Sequence, residues 1–262
     1  MNFKTEAHSD VGIKKKINQD ALLVKQAKVK SVGHVCMACL CDGMGGLSFG
    51  EVASAAFVER MDRWFKEELP EILLKENVTS QLDTSTSNTA DHWVQIQLQW
   101  NEIACSMNKK IAEYGADKNA SLGTTAVVML VIENQALIMN VGDSRVYKIT
   151  DGQLEQITHD QSFIQREIDA GRMTPEEALV SDQKSVLLQC IGASPTVVPD
   201  FFRETLETKE KFLLCSDGLW RKLENKEIVT KLDDKNGLVE LIDLVKQRGE
   251  TDNVSGLVVS VK

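Results

Sequence analysis

No stretch of the 262-residue chain approaches the roughly 18 consecutive apolar residues that span a bilayer. Its first residues also lack a charged segment leading into an apolar one, the mark of a secretory leader. Basic clusters are scarce: the formal charge is −9, and no basic stripe offers a footprint for nucleic acid. These absences predict a cytoplasmic protein with no membrane or nucleic-acid partner. Six cysteines in so long a chain do not make the framework of a small disulfide-bonded fold. Cys36 and Cys39 spell C-x-x-C, with Cys41 next, but a thiolate metal or redox site would want a second cluster. Cys105, Cys190 and Cys215 are scattered, which favours small buried side chains. Asn77-Val78-Thr79 and Asn253-Val254-Ser255 match a glycosylation pattern that is irrelevant to an unsecreted chain. No short repeat is visible, so one domain with one substantial core is expected from 262 residues of which 42% are hydrophobic.

What the chain does have is a recurring pattern of apolar runs that end in aspartate. The stretch from 35 to 46 reads VCMACLCDGMGG, seven small or apolar residues running into Asp42 and then a glycine turn. Ala136–Asp143 reads ALIMNVGD and Lys211–Gly218 reads KFLLCSDG, while Thr251-Asp252-Asn253 leads into VSGLVVSV. An Asp-Gly after a strand is ordinarily only a turn. Four such signals would gather Asp42, Asp143, Asp217 and Asp252 at one edge of a sheet core, where bare carboxylates repel. A hard, oxygen-seeking cation such as Mg2+ or Mn2+ is the economical explanation. Glycines after Asp42 would let backbone carbonyls approach the same ion.

The remaining elements follow from periodicity and turn chemistry. Strands are expected up to Asp10, after Asp20, and over Thr124–Glu133, Val197–Leu206, Phe212–Cys215 and Gly256–Val261. Asp151-Gly152 predicts a hairpin between Arg145–Thr150 and Gln153–Thr158. Apolar stripes predict a helix over Glu51–Leu69 and another from Trp93 to Gly115, joined by a Ser/Thr/Asn-rich connection over 77–89. Short helices are expected over Ile164–Ala170 and after the Thr174 cap, and two more within Asn225–Leu232 and Gly237–Gln247. The pattern is α+β, most simply two packed sheets with helices outside.

Motifs along nearly the whole chain resemble the metal-dependent protein Ser/Thr phosphatases of type 2C, in particular their bacterial-type members. They are Ser9-Asp10-Val11-Gly12 with Asn18-Gln19-Asp20, then Asp42-Gly43-Met44-Gly45-Gly46, Gly123-Thr124-Thr125-Ala126 and Asn140-Val141-Gly142-Asp143-Ser144-Arg145. Thr158-His159-Asp160-Gln161-Ser162, Ser216-Asp217-Gly218-Leu219 and Thr251-Asp252-Asn253 complete the series. Each is weak alone; in this order they are specific. The resemblance implies a four-layer α-β-β-α sandwich, two mainly antiparallel sheets flanked by helix pairs, in a single catalytic domain over 1–262. It implies hydrolysis of phosphoserine and phosphothreonine in proteins, opposite a Ser/Thr kinase, by a monomer.

The resemblance also assigns roles. Asp42, with the Gly43 carbonyl, corresponds to the carboxylate bridging two central Mg2+ or Mn2+ ions, and Asp217 and Asp252 to the other ligands of the first. Asp143, sharing Asp217, corresponds to a ligand of a weaker third ion. Gln19, Asp20 and Asn253 would stand behind these ligands, and residues of about 160–190 would form a flap. Elementary chemistry agrees: two ions lower the pKa of a bridging water, whose hydroxide attacks phosphorus in line, so no protein nucleophile is needed. The chain departs from the family at several places. Lys15 stands where the phosphate-binding arginine is expected and lacks its bidentate fork. Gln19 replaces a common glutamate and Met44 a histidine, and the family's His-Pro and Arg-Asn signals are absent from Leu179–Leu188.

Two other readings compete. Gly46-Leu47-Ser48-Phe49-Gly50 fits the G-x-S-x-G elbow of a serine hydrolase using Ser48, although the strand is expected to end near Asp42, too early for a sharp elbow. Alternatively, Lys15 and Gln19 mark a catalytically weak homologue that binds phosphoproteins. Neither accounts for the intact Asp42, Asp217 and Asp252.

Overall fold

Alternate residues of the Val35–Cys41 run enter two different cores, and this division sets the architecture. Val35, Met37, Cys39 and Cys41 pack among helices, while Cys36, Ala38 and Leu40 pack against a second sheet. A strand covered on both faces needs an unbroken apolar run rather than an alternating one. The computed structural model describes residues 1–45, 49–79 and 89–262.

In chain order the elements are β1 (Phe3–Asp10), β2 (Asp20–Val29), β3 (Gly33–Gly45), α1 (Gly50–Glu67), α2 (Leu69–Thr79), α3 (Thr89–Asp117), β4 (Leu122–Thr124), β5 (Ala126–Ile132), β6 (Gln135–Val141), β7 (Arg145–Thr150) and β8 (Gln153–Gln156). The remainder are α4 (Phe163–Asp169), α5 (Pro175–Val180), β9 (Asp200–Thr205), β10 (Lys211–Cys215), α6 (Asp217–Trp220), α7 (Asn225–Leu232), α8 (Gly237–Gln247) and β11 (Val254–Val261). One sheet runs β1-β11-β10-β7-β8 and the other β2-β3-β5-β6-β9, with β4 paired to the end of β3. The strand pairings are antiparallel.

Three cores hold four layers together, as the α-β-β-α expectation requires. Phe212, Leu214, Leu257 and Val259 meet Val127, Met129 and Ile138 between the sheets. Leu213, Cys215 and Val258, on the opposite face, pack under Leu219, Ile228, Leu241 and Val245 of the C-terminal helices. On the other side Ala53, Phe57, Met61 and Trp64 of α1 are fully buried. Trp64 meets Trp100 of α3 edge-on at 5.4 Å between ring centroids, and its indole N–H donates to Gln99 Oε1 at 2.6 Å. Arg60, the one polar residue in the α1 stripe, closes on Glu68 at 2.7 Å.

Several boundaries moved for identifiable reasons. β3 does not end at Asp42: it runs on through Gly45 because Gly43, Met44 and Gly45 pair with Thr124, Gly123 and Leu122. β9 begins at Asp200 rather than Val197, directly after Pro199, which has no N–H for a ladder. The expected α1 breaks near Glu68 and α2 resumes with Pro70 in its first turn, where a missing N–H costs nothing. The four-residue α6 was not legible as a helix. The Asp151-Gly152 turn is present, with φ of 50° and 76°, and Thr174 and Glu177 form the expected capping box. Ser48 and residues 80–88 of the expected connection lie outside the described residues. No described helix is long and apolar enough to cross a membrane.

Candidate active site

The edge where β3, β10 and β11 present their acids begins with two carboxylates in register. Asp20, first residue of β2, pairs across the ladder with Asp42. The Asp42 backbone is clamped from the β4–β5 junction: its N–H donates to Thr125 Oγ1 at 3.0 Å, and its carbonyl accepts from Thr124 Oγ1 and from the Thr125 N–H. Gly43 passes so close to Gly50 and Gln19 that a Cβ there would lie 2.3 Å and 2.4 Å from their carbonyl oxygens. Glycine is therefore required by backbone approach, not by an unusual φ.

Asp217 opens α6 directly after β10, and Asp252 stands just before β11, where Glu250 accepts the Thr251 and Asp252 N–H groups. Asn253 fastens the N-terminal loop to this turn. Its Nδ2 donates to the Val11 and Ile17 carbonyls at 2.9 Å and 3.1 Å, and its Oδ1 accepts the Gln19 N–H at 2.9 Å. The same loop carries Lys15, whose Nζ is 2.9 Å from Asp252 Oδ1. Asp143 sits at the corner after β6, where Gly142 has a φ of 103° and Ser144 Oγ meets Thr125 Oγ1 at 2.7 Å.

A cavity of about 250 Å3 brings together Lys15, Gln19, Asp42, Asp143, Asp217 and Asp252, with Gly43 and Met44 also at its wall and Ser185 and Leu187 contributed by the segment after α5. Asp20 and Asn253 stand behind it. Burial pushes the Asp42 carboxyl well above its ordinary range, and Asp20 and Asp217 beside it add to the rise. Burial, with Asp217 nearby, likewise pushes Asp20 and Asp143 up to about 7. Asp217 is raised by burial, partly offset by Arg221. Burial opposes the charge on Lys15, but Asp252, Asp42 and Asp217 outweigh it and hold its ammonium above the usual range.

Such a set is short of positive charge. Asp217 Oδ1 and both Asp20 Oδ atoms are buried without a well-formed hydrogen bond, an arrangement that costs several kcal/mol unless a cation is near. The donors are all oxygens, which suits Mg2+ or Mn2+. Among the described residues, however, no three acidic, His or Cys side chains converge into a finished coordination shell. Two protein cations hold part of the set instead: Lys15 pairs with Asp252, and Arg221 pairs with Asp217 at 2.8 Å and Asp143 at 3.3 Å.

Arg221 was not singled out from sequence. Its spacing of four from Asp217 is the helical signal that could have found it, but α6 itself was not recognised. Trp220 was missed for the same reason: its indole N–H donates to the Asp143 carbonyl at 3.1 Å, and Arg145 stacks on its ring at 3.4 Å. Arg145 in turn grips Asp160 with two nitrogens, at 2.9 Å and 2.8 Å.

Comparison with known proteins gives relatives for nearly the whole chain. The family model described as protein phosphatase 2C matches residues 11–255. Protein phosphatase PhpP of Streptococcus pneumoniae is 33% identical over 261 residues, covering 97% of this chain and 95% of the relative. The serine/threonine phosphatase stp of Listeria monocytogenes is 32% identical over 225 residues, 83% of this chain and 81% of its own. Among solved structures, the S. agalactiae serine/threonine phosphatase superimposes with a TM-score of 0.80 at 28% identity, with both chains fully covered. The catalytic domain of the phosphatase PstP, in complex with two manganese ions, gives 0.75 at 25% identity over 99% of each chain.

Proposed function

The chain belongs to the protein phosphatase 2C family, and we propose that its acidic cavity is where it hydrolyses phosphoserine and phosphothreonine in proteins. The observation that carries this reading is the half-buried Asp42 carboxylate at the cavity wall, flanked by Asp20 and Asp217 beside the unpartnered Asp217 Oδ1. Asp42, the Gly43 carbonyl, Asp217 and Asp252 would hold the two central Mg2+ or Mn2+ ions, and Asp143 with Asp217 the weaker third. When bound, these ions supply Lewis acidity, lowering the pKa of water and offsetting charge on the phosphoryl oxygens.

The chain's own side chains do the positioning. Lys15 stands at the cavity wall, where its ammonium meets the non-bridging oxygens of a phosphate as a point charge. Gln19 reaches from the same wall to Glu51 at 3.3 Å and so keeps its amide oriented. Asn253 sets the loop that carries both. Asp20, behind Asp42, fixes the charge density of the centre. Residues 160–190 act as a flap within one catalytic domain, with Ser185 and Leu187 narrowing the approach to bulky folded substrates while a phosphorylated loop enters. The protein would work as a cytoplasmic monomer, reversing the action of a Ser/Thr kinase.

The decisive experiment follows phosphate release from a phosphothreonine peptide by the purified protein, with Mn2+ and with excess chelator. Turnover with Mn2+ that disappears in chelator is expected. Turnover undiminished by chelator would overturn the reading, and peptide binding without turnover would mark a phosphoprotein-binding homologue instead.

A further inference from the structure

We propose that Arg221 is a built-in cation of this site: its guanidinium takes the place between Asp143 and Asp217 that a third divalent ion would occupy, and from there it tethers the flap. The inference rests on the proposed metal-dependent reading of the cavity. Four contacts of one side chain carry it. Arg221 Nη2 is 2.8 Å from Asp217 Oδ2 and 3.3 Å from Asp143 Oδ2. The same nitrogen donates to the Lys184 carbonyl at 3.1 Å, and Nη1 donates to Ser185 Oγ at 3.4 Å. One group therefore joins two acids of the centre to two flap residues.

The surroundings keep it there. Arg221 lies one helical turn after Asp217, so α6 aims it back over that carboxylate. Its side chain is only 19% exposed, and the guanidinium also lies 5.6 Å from the Trp220 ring. Trp220 is pinned by its bond to the Asp143 carbonyl and by Arg145 stacked on it, itself fixed by Asp160. The residue is thus positioned by a chain of contacts rather than resting on the surface.

Two consequences follow from charge. A guanidinium held against Asp217 Oδ2 and Asp143 Oδ2 competes with a divalent ion for the space between the same two carboxylates, because like charges at contact distance repel strongly in a site with little water. A third ion must therefore displace Arg221, and displacement breaks the bonds to Lys184 and Ser185. Occupancy of the third place and tethering of the flap are then alternatives, and each opposes the other by the same free energy. Arginine neutralises charge but keeps its protons at any working pH, so it does not reproduce the acidity of a bound ion. In this role Arg221 is a positioning residue, not a catalytic one.

The test is Mn2+ titration by calorimetry on the wild-type protein, Arg221→Ala, Arg221→Lys and the double variant Arg221→Ala/Asp143→Asn, with hydrogen exchange read over residues 181–188. The wild type is expected to bind two ions tightly, with any third at least tenfold weaker than in Arg221→Ala. Arg221→Lys should restore the wild-type pattern in part, and the double variant should lose the added site. Exchange over 181–188 should be fast in Arg221→Ala at every metal concentration, and in the wild type only when Mn2+ is high enough to fill the third place. Arg221→Met, which keeps the packing volume, replaces the alanine variant if that fails to fold. A third site of equal affinity in wild type and the Arg221 variant, with the two tight ions retained in both, would overturn the inference. Absence of the two tight ions from the wild type itself would instead overturn the metal reading of the cavity.

Discussion

Lys15 Nζ lies 2.9 Å from Asp252 Oδ1, joining the loop after the first strand to the turn before the last. The pair stands at the cavity wall; Lys14 and Lys16, exposed like Lys15 itself, do not line it. The loop is a turn rather than an extended segment, so neighbouring lysines diverge by turn geometry and not by strand alternation. Replacing Lys15 by alanine should raise KM for a phosphopeptide about ten- to a hundredfold, the effect of losing one charge-assisted hydrogen bond worth about 1.5–3 kcal/mol. The same change at Lys14 or Lys16 should leave KM nearly unaltered. Lys15→Arg should hold or improve binding, since its fork grips two oxygens. Equal small effects at all three lysines, in steady-state kinetics, would return Lys15 to the solvent.

Asp42→Asn removes the charge at the centre of the acidic set while preserving shape. Phosphatase activity should fall to the level seen in excess chelator, and added Mn2+ should not restore it. Mn2+ calorimetry on the same variant should show weakened binding of the central ions. Retained tight binding would move the centre away from Asp42.

Asp143→Ala addresses the periphery of the same set. The two tightly bound ions should remain, and kcat should drop sharply. Loss of the tight ions in calorimetry would place Asp143 among the central ligands instead.

Gly43 is constrained by backbone on two sides, the Gly50 and Gln19 carbonyls. Neither neighbour is the free end of a side chain, so Gly43→Ala must push β3 away from the Gln19 loop or from the start of α1. A loss of about 1–3 kcal/mol in urea unfolding is expected, together with weaker Mn2+ binding, because the shift carries Asp42 with it. An unchanged midpoint and unchanged metal affinity would show that this approach is not tight.

Stability should also depend on acid through a pair that does not line the cavity. Lys246 of α8 donates to Asp10 Oδ2 at 2.6 Å and holds the Asp10 carboxyl below its ordinary range; partial burial opposes this, while the Gly12 N–H assists. A depressed carboxylate stabilises the fold above the pKa of the unfolded chain, near 3.8, and that contribution disappears as pH falls through the lower folded value. Asp10→Asn should therefore be less stable than wild type at pH 7 by up to about 1 kcal/mol, given how accessible the pair is. The two proteins should converge in urea melts as pH drops below about 3.

Layer order and most of the acidic set were legible in the chain because they depend on local pattern. The short unbroken run around Met37 and Leu40, closed by glycine, suits a strand covered on both faces, and the stripe from Ala53 to Trp64 reads as a helix with one buried side. Asp42, Asp143, Asp217 and Asp252 announced themselves as acids at the ends of such runs, and the structure brings all four to one cavity. Tertiary structure alone decided what those acids face. The Asp20–Asp42 register depends on ladder alignment, and the continuation of β3 through Gly45 depends on the late arrival of β4. Arg221 was the largest omission, because α6 has only four residues and owes its place to the packing of Leu219 beneath α7 and α8. Periodicity needs two or more turns to register in a sequence. A single turn held by its neighbours leaves no such trace, yet it puts the charge that balances Asp143 and Asp217 into the centre of the site.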